Sequence, residues 1–212
     1  FFQAEDGIRD FCLSRGLGDV YKRQLMGPSG SGKSTLLNLI SLIDKPSNGL
    51  IKFNKHQINY DDKEQNDQLR AKKIGIVYQQ NNLLPDFTSL ENIYLASLSI
   101  NNNKNLAISK AKQLLQKIGL SSRADHYPSQ LSGGEAQRIA IARAIINDPE
   151  IILADEPTGS LDMKTAKIIF NLLKDQKRSD RLIIFATHNR FFGNKADCLL
   201  EILNGKIKSS NG

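Results

Sequence analysis

The chain has 212 residues, 40% of them hydrophobic and 24% charged, the balance of an ordinary globular protein able to bury one sizeable core. No run approaches the roughly 20 apolar residues that a membrane helix needs, no basic region followed by an apolar block marks a secretory signal, and Cys12 and Cys198 lack pairing or metal-ligand spacing, as in a reducing compartment. The net charge of +7 fits either a nucleic acid or an anionic membrane surface as neighbour, but the lysines are scattered without an Arg-rich run, so a solvated basic surface is the plainer reading.

Residues 1–24 show neither alternation nor a helical face, and they resemble the peptide encoded when sequencing-adaptor DNA is translated in frame. They are expected to stand in place of the true N-terminus, which leaves only Leu25 and Met26 to lead into Gly27. From about residue 25 onward apolar strands alternate with helices, the pattern of an α/β fold. Leu36–Ile43 reads as an apolar helix, and Leu50–Phe53, after the turn pair Asn48-Gly49, as a short strand. Ile74–Tyr78 is a second strand. From Thr88 to Ile146 the period is helical instead. Thr88-Ser89-Leu90-Glu91 has capping-box form and starts a helix over Ile93–Leu98; Asn101–Asn105 reads as a polar loop. Ile108, Ala111, Leu114, Leu115 and Ile118 form one amphipathic stripe, ended by Gly119, and Ile139, Ala142, Ile145 and Ile146 form another. Ile151–Ala154 and Leu182–Thr187 are continuous apolar runs, as in strands buried on both faces. Leu200–Leu203 and Lys206–Lys208 flank Asn204-Gly205 and read as a hairpin. The expected organisation is a core from residues 25–80 and 148–212, interrupted by a helical subdomain over about 81–147.

Three motifs carry chemistry. Gly27-Pro28-Ser29-Gly30-Ser31-Gly32-Lys33-Ser34, followed by Thr35, has the glycines that let successive backbone N–H groups surround a phosphate chain at a helix N-terminus. Lys33 adds a cation for the β- and γ-phosphates, and the Ser34 hydroxyl is suited to Mg²⁺. Ile151–Ala154 leads into Asp155 and Glu156: the first carboxylate is placed to hold Mg²⁺ through water, the second to act on an attacking water as general base. Taken alone, Glu156 would be an ordinary acid at a strand end; the phosphate loop and the Pro157-Thr158-Gly159 turn favour the catalytic reading. Leu131-Ser132-Gly133-Gly134-Glu135 heads a helix over Gln137–Ile146 and would present a second phosphate-facing N-terminus. One ATP does not need two such cradles from one subunit; a second copy of the chain could supply Ser132, Gly133 and Gly134 across an interface, although taken alone they also read as a plain Ser-Gly-Gly cap.

The sequence LSGGE between a phosphate loop and an ILADE strand resembles the ABC transporter ATPases over essentially all of residues 25–212. That resemblance implies a P-loop NTPase (RecA-like) core with an inserted all-helical subdomain and a small antiparallel β part. It implies ATP and Mg²⁺ as cofactors, and a homodimer in which each ATP lies between the Gly27–Thr35 loop of one copy and Ser132–Gly134 of the other. Gln79 corresponds to the glutamine that touches metal and water and links to the membrane partner, Ser160-Leu161-Asp162 to the D-loop, and His188 to the histidine that contacts the γ-phosphate. Integral membrane permease subunits are the further partners implied, at the cytoplasmic face of the bacterial inner membrane. The stretch from Leu83 to Asn92 is most similar to the lipoprotein-releasing and macrolide-export ATPases. The family's adenine-stacking aromatic lies upstream of the loop, and neither Tyr21 nor Phe11 is assigned to it. The alternative from another class is a soluble ABC ATPase acting on nucleic acid or ribosomes, favoured only by a pI of about 9.4. Such relatives carry two units in one chain or long coiled-coil insertions; with neither here, no nucleic acid is expected.

Overall fold

The computed structural model describes residues 22–28, 30–53, 56–187, 198–203 and 205–210. Its main sheet has six strands: β1 (Lys22–Met26), β4 (Ile74–Val77), β5 (Ile151–Asp155), β6 (Leu182–Ala186), β7 (Cys198–Leu203) and β8 (Lys206–Ser210), in the spatial order β4-β5-β6-β1-β7-β8. All pairings are parallel except β7 with β8 at the edge, and the apolar runs occupy the centre, where both faces are covered. Two short strands, β2 (Lys52–Phe53) and β3 (His56–Gln57), make a separate antiparallel pair.

Alternation along the strands divides the core. Ile151 and Leu153 of β5 face Leu36 and Leu37 of helix α1 (Lys33–Ile40), with Leu25 and Ile202 in the same cluster. Ile152 and Ala154 point to the other face, against Ile141 and Ile145 of α5 (Gly133–Ile145) and Ala166, Ile169, Phe170 and Leu173 of α6 (Met163–Lys174). There the Phe170 and Phe185 rings meet edge to face at 5.7 Å. α2 (Lys63–Lys73) packs near β4.

Between β4 and β5 the described chain is helical: α3 (Ser89–Leu98), α4 (Lys104–Lys117), two single 3₁₀ turns and α5. Ile93, Ala111, Leu115, Ile139, Ala142 and Ile146 form a third cluster, so α5 packs on this helical cluster and on the sheet at once. Its seat on the sheet is close. A Cβ at Gly75 of β4 would fall 2.3 Å from the carbonyl oxygen of Ala144.

Several boundaries differ from the sequence reading. The strand delivering the phosphate loop begins at Lys22, not Leu25, because its backbone finds β6 on one side and β7 on the other. The boundary drawn after residue 24 therefore cuts through β1. The polar loop at Asn101 ends at Asn103, which caps α4 by accepting a hydrogen bond from Leu106 N at 3.0 Å. Helix α5 starts at Gly133 rather than Gln137, because Ser132 and Glu135 close a capping box around the two glycines. Helices α2 and α6 have no counterpart in the sequence reading.

Candidate active site

The phosphate loop leaves β1 at Met26. Gly27 passes so close beneath β7 that a Cβ would sit 2.5 Å from the carbonyl oxygen of Ile202. Gly30 and Gly32 have φ values of 76° and 101°, in the region that side chains disfavour. Gly32 is the N-cap of α1 and supplies no side-chain cap, so the first-turn N–H groups are open to an anion. The buried Lys33 donates from Nζ to the carbonyls of Gly27 (2.8 Å) and Pro28 (3.0 Å), folding the ammonium against the loop.

These residues open on a cleft of about 480 Å³ whose walls are Gly30, Gly32–Thr35, Gln79, Asp155 and Glu156. Asp155 ends β5, and its buried Oδ1 has no hydrogen-bond partner among the described residues. Glu156 is buried and adopts φ 43°, unusual for a residue with a side chain. Its N–H donates to Ala186 O at 2.9 Å, and its Oε2 accepts from the Thr187 hydroxyl at 3.0 Å. The carboxylate is thereby aimed by the ends of two neighbouring strands. Gly159 lies between this residue and the third wall: a Cβ there would be 3.4 Å from Gln79 Nε2 and from Glu156 O.

The sequence-selected residues thus fall into three groups. Gly30, Gly32, Lys33, Ser34, Thr35, Gln79, Asp155 and Glu156 converge on the cleft, and Gly27, Pro28 and Ser31 build the loop behind it. Ser132, Gly133 and Gly134 stand apart at the head of α5, with Ser132 and Gly133 exposed and none of the three lining this cleft. Asp162 is the N-cap of α6, accepting from the N–H groups of Lys164 (2.9 Å) and Thr165 (3.1 Å). Ser29, His188, Tyr21 and Phe11 lie outside the described residues. Thr187 was missed; a hydroxyl closing an otherwise apolar strand was the available signal.

At the head of α5, Glu135 Oε2 accepts from both the N–H and the hydroxyl of Ser132 at 2.8 Å, and Oε1 accepts from Arg123 Nε at 2.9 Å. The Ser132 backbone bond, then the Arg123 guanidinium, bring the carboxyl pKa down to about 2.

The donor set fits a metal-bound triphosphate. Mg²⁺ takes one or two protein oxygens beside phosphate oxygens and water, and the buried, unpartnered Asp155 oxygen near Ser34 is suited to that. The fold and loop define a P-loop nucleotide-binding protein. The ABC transporter family model matches residues 16–159, and the chain belongs to that family. It is an ATPase of that class.

The lipoprotein-releasing system ATP-binding protein LolD of Rickettsia bellii is 43% identical over 189 residues, covering 88% of this chain and 82% of that protein. An uncharacterized ABC transporter ATP-binding protein of Thermotoga maritima is 41% identical, over 87% of this chain and 79% of its own. Among solved structures, the dimeric structure of MJ0796, a bacterial ABC transporter cassette, has a TM-score of 0.81 and 37% identity, covering 91% of this chain and 86% of that one. A second dimeric structure of MJ0796, in a post-hydrolysis state bound to ADP and Pi, matches at the same TM-score with 36% identity. Among the described residues no helix is long and apolar enough to cross a membrane.

Proposed function

We propose that the chain is the ATP-hydrolysing subunit of a transporter that releases lipoproteins from the bacterial inner membrane, acting as a homodimer on permease subunits at the cytoplasmic face. The observation carrying the ATPase reading is the convergence of Lys33, Ser34, Asp155 and Glu156 on one cleft. The lipoprotein substrate rests on the LolD relatives.

In this reading the open N–H groups of α1 and the loop glycines bind the phosphates. Lys33 exchanges its two carbonyl partners for β- and γ-phosphate oxygens. Ser34, Asp155 and Gln79 would hold Mg²⁺, which when bound neutralises charge on the β- and γ-phosphates. Glu156, held by Thr187 and its own backbone, orients a water in line with the γ-phosphorus and takes its proton. His188 is the further γ-phosphate contact. Ser132, Gly133 and Gly134 face the ATP of the partner copy, with Asp162 near the same seam. The exposed Leu84 and Phe87, on the segment after Gln79, give a permease an apolar footing.

Glu156→Gln tests the mechanism. ATP binding is retained while turnover falls by about 10²–10⁴, the usual contribution of a general base. Undiminished turnover removes Glu156 from that role.

A further inference from the structure

Between the end of β4 and the head of α3, the segment carrying Gln79 has no helix or strand to fix it. Its later carbonyls, those of Leu84 and Phe87, are held by Asn92 of α3, but those flanking Gln79 are held by side chains of α5. Gln137 Nε2, on a residue 3% exposed, donates to Tyr78 O at 3.1 Å. The Arg143 guanidinium donates from Nη1 to Asn82 O at 2.6 Å and from Nη2 to Asn81 O at 2.7 Å. Asn82 itself is in the left-handed region, at φ 47°, a turn that these bonds help to keep.

Arg143 is an unusual choice for a brace. Among the described residues its guanidinium meets two backbone carbonyls and forms no ion pair with a carboxylate. Burial opposes its charge and lowers its pKa from the ordinary value. The planar fork matches two adjacent carbonyls in a way that a lysine ammonium does not. Two residues six positions apart on α5 thus grip both flanks of Gln79, and the same helix begins at the Ser132–Gly134 turn.

We propose that Arg143 and Gln137 are positioning residues of the ATPase reaction, fixing the Gln79 loop to α5 so that the amide is held at the cleft and moves only together with that helix. This rests on the ATPase reading for its kinetic consequence, but the tether itself does not.

The test uses Arg143→Lys and Gln137→Met in the full chain, each in the parent and in a Gln79→Ala background. Steady-state ATPase, affinity for a fluorescent ATP analogue and deuterium uptake over residues 78–88 are measured. Arg143→Lys is expected to lower kcat by about tenfold or more, the scale of a slightly misplaced catalytic group, with nucleotide affinity within about threefold of the parent. In the Gln79→Ala background the same substitution has no further effect on kcat, because Arg143 acts through Gln79. A plain structural brace would instead lower kcat by the same factor in both backgrounds, and that result overturns the proposal, as does a kcat within about twofold of the parent. Gln137→Met carries the same comparison if Arg143→Lys does not fold. A parent without ATPase activity defeats the ATPase reading alone. The tether is then judged by deuterium uptake over 78–88, which rises in both variants if it exists and stays unchanged if it does not.

Discussion

Gly75 sits in β4 beneath α5, and adding one methyl group there tests how the helix is seated. The new Cβ would stand 2.3 Å from Ala144 O and 3.1 Å from Pro149 Cγ. An ordinary contact needs about 1 Å more room at the first of these. The obstruction is helix backbone, so no rotamer change relieves it, and α5 must move off the sheet with Ile141 and Ile145 still attached. Overpacking of this kind costs about 1–3 kcal/mol. For a chain of this size each kcal/mol lowers Tm by roughly 2–4 °C, so Gly75→Ala should melt about 2–12 °C below the parent. Thermal unfolding followed by circular dichroism measures this, with Gly119→Ala as control. Gly119 has φ +72° and open space around its Cβ position, so its cost, about 1–2 kcal/mol, comes from backbone conformation alone. Gly119→Asn should recover part of that loss, whereas no side chain rescues Gly75. A Gly75→Ala melt within about 1 °C of the parent would refute the close seating of α5 on β4.

Two further outcomes follow from the charges and the cleft. Glu135 is held below its ordinary pKa of 4.5, so the stability it contributes is present above that pH and is lost as pH falls toward about 2. Glu135→Ala should therefore lower Tm at neutral pH, with the gap from the parent closing between about pH 4.5 and 2; a gap independent of pH contradicts the Ser132 and Arg123 hydrogen bonds. Mg-ATP at a hundred times its Kd should stabilise the chain by about 2.7 kcal/mol, raising Tm by roughly 5–11 °C, and the absence of any rise means that the cleft does not take nucleotide.

The sheet was legible because its central strands are buried on both faces, which forces unbroken apolar runs such as Ile151–Ala154. Helix α2 was not, since only Asn66 of its eleven residues is buried and no apolar period exists to be read. Helix α6 was within reach: Ala166, Ile169, Phe170 and Leu173 follow the i, i+3, i+4, i+7 spacing. Its start is overshadowed by the Ser160–Asp162 motif, whose aspartate is the helix cap. The head of α5 shows how local signals compete. Ser132-Gly133-Gly134-Glu135 has the same capping-box spacing as Thr88–Glu91, but two glycines of poor helix propensity disguise the first turn. The cleft wall at Gln79 is different in kind. Asn92 bonds the later part of that loop locally, at Leu84 and Phe87, but the carbonyls flanking Gln79 are held by Gln137 and Arg143, about sixty positions away in the chain.

The cleft gathers features that a protein optimised only for stability would avoid. Glu156 adopts a left-handed backbone conformation, at about 1–3 kcal/mol for such strain. Asp155 buries a carboxylate oxygen without a partner among the described residues, and α1 begins at a glycine with no side-chain cap. Lys33 spends its ammonium on two loop carbonyls. Scattered through the fold, these would be four separate defects. Converging on one space, they match what a metal-bound triphosphate supplies: anionic oxygens for the open N–H groups and the ammonium, and a cation for the orphaned carboxylate. Such binding, as proposed, would relieve all but the strain at Glu156, which the parallel pairing of β5 with β6 sustains through Glu156 N to Ala186 O. That residual strain fixes the direction of the carboxylate to which the proposed mechanism gives the attacking water.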